Sequence, residues 1–225
     1  MKIAIIGYGK MGKLVKELAD QRDIAVVVIE EGMELSADLL KGAICIDFTN
    51  AAAFLGNYRA LADYGAAVVV GTTGWDMERV KVCDYFKSQN KTLIYGSNFS
   101  LGANLHFKIV NYAAALLAKA EYDPYLIEMH HRSKKDAPSG TAKQLAQILD
   151  SHFKGQTTPL AVRCGAIRGV HEVGFESMSD HLRITHEAYD RSGFAEGALL
   201  AAKWASEVSG VWEFSDLLAH KWQLD

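Results

Sequence analysis

The sequence predicts an α/β protein: a doubly wound parallel sheet first, then a second α+β domain with an open mixed sheet. Three observations predict it. Short, largely apolar β-type runs alternate with helical segments through residues 1–100. Each run ends in a loop of glycines and small polar residues. From Leu101 the alternation stops, and one long helical pattern is followed by several strands in succession.

The first five strands are expected at residues 2–6, 24–29, 43–48, 67–70 and 92–95. Runs this apolar, without alternation, suit strands covered on both faces, as in a parallel sheet. Helical patterns at 11–20, 51–64 and 77–88 supply the crossovers, while residues 30–42 hold at most a stub of helix. The loops that close the strands read "GYGKMG", "EEG", "DFTN", "GTTGW" and "GSNFS". In an open parallel sheet ligands bind outside the carboxyl ends of the strands, so these five loops describe one binding rim.

The first loop is a G-x-G-x-x-G that follows a strand and opens a helix: Gly7, Tyr8, Gly9, Lys10, Met11, Gly12. Gly7 serves the tight turn, Gly9 the close approach of a pyrophosphate, and Gly12 the packing of helix on strand. The pyrophosphate would sit on the helix's unpaired N–H groups. Glu30, eighteen positions after Gly12, ends the second strand, where its carboxylate accepts from the adenosine ribose hydroxyls. The domain is therefore expected to be Rossmann-like, with NADH or NADPH as cofactor. Glu30 and Glu31 side by side repel a 2′-phosphate and favour NADH, although Lys10 and Lys13 offset part of that repulsion.

In the second half, Leu105, Ile109, Ala113, Leu116 and Leu117 recur at helical spacing within residues 103–120. Strands are expected at 125–131, 161–168, 170–176 and 182–189. Several alternate, as in a sheet with helices on one face and the other face open to an oligomer contact. Residues 195–208 and the tail "VWEFSDLLAHKWQLD" read as helix again.

Composition narrows the function classes. The 225 residues are 49% hydrophobic and 23% charged, with a net charge of −3, and the pI is near 6.2. That balance gives no electrostatic case for nucleic acid or an anionic membrane. No apolar run approaches a membrane span, and the opening apolar run is too short for a signal peptide. Cys45, Cys83 and Cys164 form no CxxC pair, which fits a reducing, cytoplasmic setting.

The densest chemistry lies in "EMHHRSKKDAPSGTA", residues 128–142. On an extended backbone His130 shares a face with Glu128 and Leu126, and His131 with Met129 and Ile127. Adjacent strand histidines rarely close on one metal, and neither "HEVGF" nor "HEAYD" completes HExxH, so no metal is expected. Pro138 suits a first helical turn, Asp136 or Ser139 a cap, and Ala142, Leu145, Ala146 and Leu149 a buried stripe. Ser139, Gly140 and Thr141 then bring N–H groups and hydroxyls to the positive end of a helix, which suits a carboxylate. Lys134 or Lys135 adds a point charge, and a histidine can donate a proton near neutral pH. The combination points to a small anionic substrate that takes a hydride from NAD(P)H and a proton from the protein.

This stretch closely resembles the signature of the dihydrodipicolinate reductase family. "GYGKMG", "DFT", "GTTGW", "SNFSLGAN", "RCGAIRGVHEVGF", "THEAYDR" and "FAEGALLAAKW" follow the family's order over nearly the whole chain. The resemblance implies NAD(P)H-dependent reduction of 4-hydroxy-tetrahydrodipicolinate to tetrahydrodipicolinate, in the diaminopimelate–lysine pathway. It makes His130 the proton donor and His131 a substrate contact. It gives one substrate carboxylate to Lys134, which aids protonation, and the other to Ser139, Gly140 and Thr141. Gly71, Thr72 and Thr73 would line the nicotinamide end, with Ser97, Asn98 and Phe99 near a hinge. Gly7, Gly9, Lys10, Met11, Gly12, Glu30 and Phe48 complete the expected cofactor contacts. Residues 1–98 and 192–225 would form the dinucleotide-binding domain, and 99–191 a substrate-binding domain whose sheet joins a homotetramer. Two departures stand out: Glu31 occupies a place that often holds arginine in members accepting NADP, and the stretch from Glu30 to Asp47 is compact. For Arg163, His171, His186 and Arg191, ligand contact and bracing of the sheet remain level alternatives.

Overall fold

The computed structural model describes residues 1–224. The chain forms two compact units, Met1–Ser100 with the segment from Arg191 onward, and Leu101–Asp190. The first unit opens with β1 (Lys2–Ile6), α1 (Lys10–Asp20), β2 (Ala25–Ile29), the stub α2 (Ala37–Leu40) and β3 (Ala43–Asp47). It continues through α3 (Ala51–Tyr64), β4 (Ala67–Val70), a 3₁₀ turn at Asp76–Glu78, α4 (Arg79–Ser88) and β5 (Thr92–Tyr95). Asn50 starts α3 where the sequence turns from DFT to an alanine run, because its side chain accepts from the Ala53 amide at 3.0 Å.

The second unit holds α5 (Leu101–Leu117, prolonged by a 3₁₀ turn), β6 (Asp123–His130), α6 (Gly140–His152), β7 (Leu160–Arg163), β8 (Val170–Glu176) and β9 (His181–Glu187). Its sheet runs β7-β6-β8-β9, with only the β6–β7 pair parallel. On β6 the side chains of Leu126, Glu128 and His130 are buried, and the residues between them less so. Leu126, Val173 and Phe175 pack with Phe107 and Val110 of α5 and with Leu145 and Leu149 of α6. Each such side chain stabilises the unit by about 1.5–3 kcal/mol.

The chain then returns to the first unit through α7 (Ser192–Ala205), β10 (Val211–Glu213) and α8 (Phe214–Trp222). The parallel sheet runs β10-β5-β4-β3-β1-β2. Its alternating side chains are buried on both faces: Ala4, Ile6 and Val68 pack with Phe54, Tyr58 and Phe86 of α3 and α4, while Ile3, Ile5 and Val69 point the other way and are fully buried. This is the doubly wound arrangement the apolar runs require.

Three differences from the sequence expectation have a clear physical cause or bear on the site. The tail is not helical throughout: Val211–Glu213 pairs in parallel with β5, Val211 opposite Leu93. Without it β5 would expose a row of unpaired backbone groups, and that demand outweighs the local helical pattern. The third strand ends at Asp47, one residue before Phe48. The strand expected over 161–168 stops at Arg163, because Gly165 turns the chain with a φ of +52°.

Candidate active site

In the first unit the fingerprint glycines are held by close packing. Gly7 adopts φ +87°, and its amide donates to the Ile29 carbonyl at 2.9 Å. A Cβ on Gly12 would lie 2.2 Å from the Gly7 carbonyl oxygen, so only glycine lets α1 start this close to the loop. Around Gly9, by contrast, nothing lies within 4 Å of a Cβ position. The backbone there is open to a ligand, which fits a dinucleotide's pyrophosphate. Glu30 is exposed and directly follows Ile29, the residue that anchors Gly7, so its carboxylate belongs to the same rim. Lys10 and Glu31 are exposed, Met11 is half-buried in the first turn of α1, and the exposed Lys13 carries its ammonium over the Tyr8 ring at 5.8 Å.

Asp47, at the end of β3, ties the third and fourth loops together. Its Oδ1 accepts from the Thr49 amide at 3.0 Å, the Thr49 hydroxyl at 2.8 Å and the Thr72 hydroxyl at 2.6 Å. Its Oδ2 is buried without a partner. Burial pushes this carboxyl above its ordinary range, against the pull of those three donors. The Phe48 ring lies against Gly71, where a Cβ would come within 2.0 Å of it, and packs edge-on against Phe99 with ring centroids 6.2 Å apart. Phe48, Gly71, Thr72 and Phe99 are thus brought together, with Thr73 and Ser97 exposed beside them. The Asn98 side chain accepts from the Ser100 amide at 2.9 Å. Arg191 lies in this unit, exposed at the start of α7.

The second unit's cluster centres on Glu128, a residue to which the sequence reading gave a face of the strand but no role. Its carboxylate is fully buried. Oε1 accepts from Arg163 Nη2 at 2.6 Å and from the Ser139 amide at 3.1 Å, and Oε2 meets His130 Nδ1 in a short contact. The signal for it was a carboxylate on the buried face of a strand, a position that demands partners. Burial alone would push Glu128 up, but the Arg163 guanidinium, the Ser139 amide and His130 together outweigh it and hold the carboxyl below its usual range. His130 is held below the usual imidazole value by burial, partly offset by Glu128.

Ser139 is the N-cap of α6, accepting from the Ala142 amide at 3.2 Å, and its hydroxyl also pairs with His171 Nε2 at 3.0 Å. Of the two caps left open by the sequence, the structure uses this one. Burial, reinforced by His130, drives His171 down to about 3, so that ring is neutral. Gly140 opens the helix with clear space around it, and Thr141 follows half-buried. Lys134 is not bare: its ammonium bridges both oxygens of Asp136 at 2.8 and 3.0 Å. His131 turns away from Glu128 and pairs with Ser133 at 2.8 Å. His186 stacks on His106 at 5.9 Å, outside the hydrogen bonds to Glu128, whereas Arg163 and His171 both join the cluster.

Glu128, His130 and His171 stand close enough to offer three ligand atoms to one cation, a convergence that motif spacing did not anticipate. The Arg163 guanidinium already neutralises that carboxylate at 2.6 Å, and a divalent ion would have to displace or repel it.

Comparison with known proteins places these features in context. Residues 1–99 match the family described as dihydrodipicolinate reductase, N-terminus, and residues 102–218 its C-terminus. A 4-hydroxy-tetrahydrodipicolinate reductase of Christiangramia forsetii is 35% identical, covering 97% of this chain and 98% of that protein. One from Archaeoglobus fulgidus is also 35% identical, over 93% of this chain and 86% of that protein. Among solved structures, a dipicolinate-bound dihydrodipicolinate reductase from Paenisporosarcina sp. TG-14 has the same fold. It superposes with a TM-score of 0.79 at 21% identity, covering 96% of this chain and 98% of the other.

Proposed function

This chain belongs to the dihydrodipicolinate reductase family, and on that premise we propose that it reduces 4-hydroxy-tetrahydrodipicolinate to tetrahydrodipicolinate with NADH or NADPH, in diaminopimelate–lysine biosynthesis. The observation that carries the reading is the buried Glu128–His130 pair joined through the Ser139 amide to the start of α6. One carboxylate thereby links an acid–base group to an anion-binding helix end. The dipicolinate in the Paenisporosarcina enzyme is a planar dicarboxylate of the kind such a site accommodates.

The first unit's residues have a binding role. Gly7, Gly9, Lys10, Met11 and Gly12 take the pyrophosphate, Glu30 the ribose, and Phe48, Gly71, Thr72, Thr73, Ser97, Asn98 and Phe99 the nicotinamide end. A bound nicotinamide dinucleotide supplies a hydride. Glu30 with Glu31 favours NADH over NADPH.

The second unit supplies recognition and a proton. Lys134 exchanges Asp136 for one substrate carboxylate, Ser139, Gly140 and Thr141 hold the other, and His131 adds a contact at the site's edge. His130 is neutral in the ligand-free protein. A dianionic substrate raises its affinity for a proton, which it then donates through Nε2 to the anion left by hydride addition. The 4-hydroxyl leaves as water, so one hydride and one proton enter and one water departs. The protein works in the cytoplasm as a homotetramer. The second unit's sheet forms the contact, consistent with Leu160 and Leu182 exposed at 60% and 49% on its outer strands.

The test is oxidation of NADH and of NADPH with substrate made in place from pyruvate and aspartate semialdehyde by the preceding synthase. Synthase-dependent oxidation is expected, faster with NADH. Folded protein that binds NADH yet oxidises neither cofactor would overturn the assignment.

A further inference from the structure

The signature histidine can protonate a substrate only if the right nitrogen faces it, and the protein must decide which. His130 offers Nδ1 to Glu128 Oε2, which leaves Nε2 as the ring nitrogen turned away from that carboxylate. Gly169 lies beside that nitrogen: a Cβ there would be 3.2 Å from Nε2, so its lack of a side chain keeps the nitrogen approachable. Glu128 in turn is locked by donors from two directions, the β7 residue Arg163 and the Ser139 amide before α6. With two donors fixed on Oε1, the carboxylate cannot rotate, and Oε2 stays aimed at the imidazole.

We infer that Glu128 is a positioning residue, one that fixes His130 as the Nδ1–H tautomer with Nε2 turned outward and that couples this ring to the anion-binding start of α6. The inference rests on the proposed reductase activity for its kinetic consequence, but the tautomer is a property of the protein alone. Other charges facing the pair are Lys134 and Arg163, and His171 lies edge-on to His130 with ring centroids 5.1 Å apart. His171 is neutral there, and Arg163 is spent on Glu128, so the ionised Glu128 is the group that can stabilise a transient imidazolium.

Glu128→Gln separates this role from mere space filling. The two donors at Oε1 keep the amide carbonyl on their side, which turns the amide NH₂ towards His130 Nδ1. That nitrogen must then accept, so the ring proton moves to Nε2, and an imidazolium would oppose N–H to N–H. Nitrogen NMR of histidine-labelled protein at pH 7.5 should place the wild-type proton on Nδ1 and the Glu128→Gln proton on Nε2. In the coupled assay kcat should fall by about 100-fold, the scale of a lost proton donor, with KM nearly unchanged. Glu128→Asp keeps the charge and should retain the Nδ1–H tautomer with part of the turnover, which a variant that had lost its fold would not. A wild-type proton on Nε2 overturns the inference, whether or not Glu128→Gln folds. So does a Glu128→Gln enzyme with wild-type kcat. Inactive wild-type protein with its proton on Nδ1 would instead sink the proposed reaction and leave the tautomer assignment standing.

Discussion

Replacing Arg163 by methionine tests the electrostatics beneath the site. The guanidinium Nη2 lies 2.6 Å from a Glu128 carboxylate with 0% side-chain exposure. Two unit charges about 4 Å apart attract by about 4 kcal/mol at an effective dielectric of about 20. Removing one partner of such a buried pair costs about 3–5 kcal/mol, because the remaining charge stays desolvated. Arg163→Met should therefore lose about 3–5 kcal/mol at pH 7.5. The pH dependence gives the sharper check. In the wild type the Glu128 carboxyl is held low, so its stabilisation is present above the unfolded value of about 4.3 and lost as pH falls through the lower folded value. In Arg163→Met burial prevails and the folded value rises above the unfolded one. That variant therefore loses stability as pH climbs from about 4.3 towards the raised value. The deficit between the two proteins should be widest at pH 7.5 and smaller, though still present, at pH 4.5. Urea unfolding followed by circular dichroism at both pH values measures it, read on the transition that the substitution moves. A deficit below about 1 kcal/mol at pH 7.5, the scale of an exposed pair, or one equal at both pH values, would refute the argument.

Other substitutions probe the remaining roles. His130→Ala and Lys134→Ala should each lower turnover by about 100-fold or more in the coupled assay, and near-normal rates in both would discard the proton-donor assignment. Gly71→Ala drives a methyl into the Phe48 ring, 2.0 Å away. It should cost about 1–3 kcal/mol in stability and weaken NADH in a fluorescence titration; unchanged affinity would remove Gly71 and Phe48 from the cofactor site. Glu31→Arg should raise the NADPH-to-NADH rate ratio by about tenfold, equivalent to about 1.4 kcal/mol of binding. An unmoved ratio would place the ribose phosphate elsewhere.

Much of the architecture was legible because local pattern and global demand agree. Apart from Lys2 at the start of β1, the runs in β1, β3 and β4 are apolar up to Asp47, which leaves a doubly covered parallel strand as the economical reading. The glycine fingerprint, the α6 start and the alternation of β6 are likewise local, since each depends on residues a few positions apart. Where a long-range partner decided the outcome, the pattern misled. Val211–Glu213 resembles the helical tail that follows it and became a strand because β5 lacked a neighbour.

The chemistry divides along the same line. The sequence by itself determined the residue types, the face shared by Glu128 and His130, and the capping end of α6, because backbone periodicity sets which side chains stand together within one element. Only the tertiary structure decided that Arg163 on β7 and Ser139 before α6 converge on Glu128, that His171 reaches Ser139, and that Lys134 rests on Asp136. It also decided that Asp47 clasps Thr72, twenty-five residues away. These contacts come from strand pairing and helix packing across the chain, and a buried charge takes whichever partner the fold brings within reach.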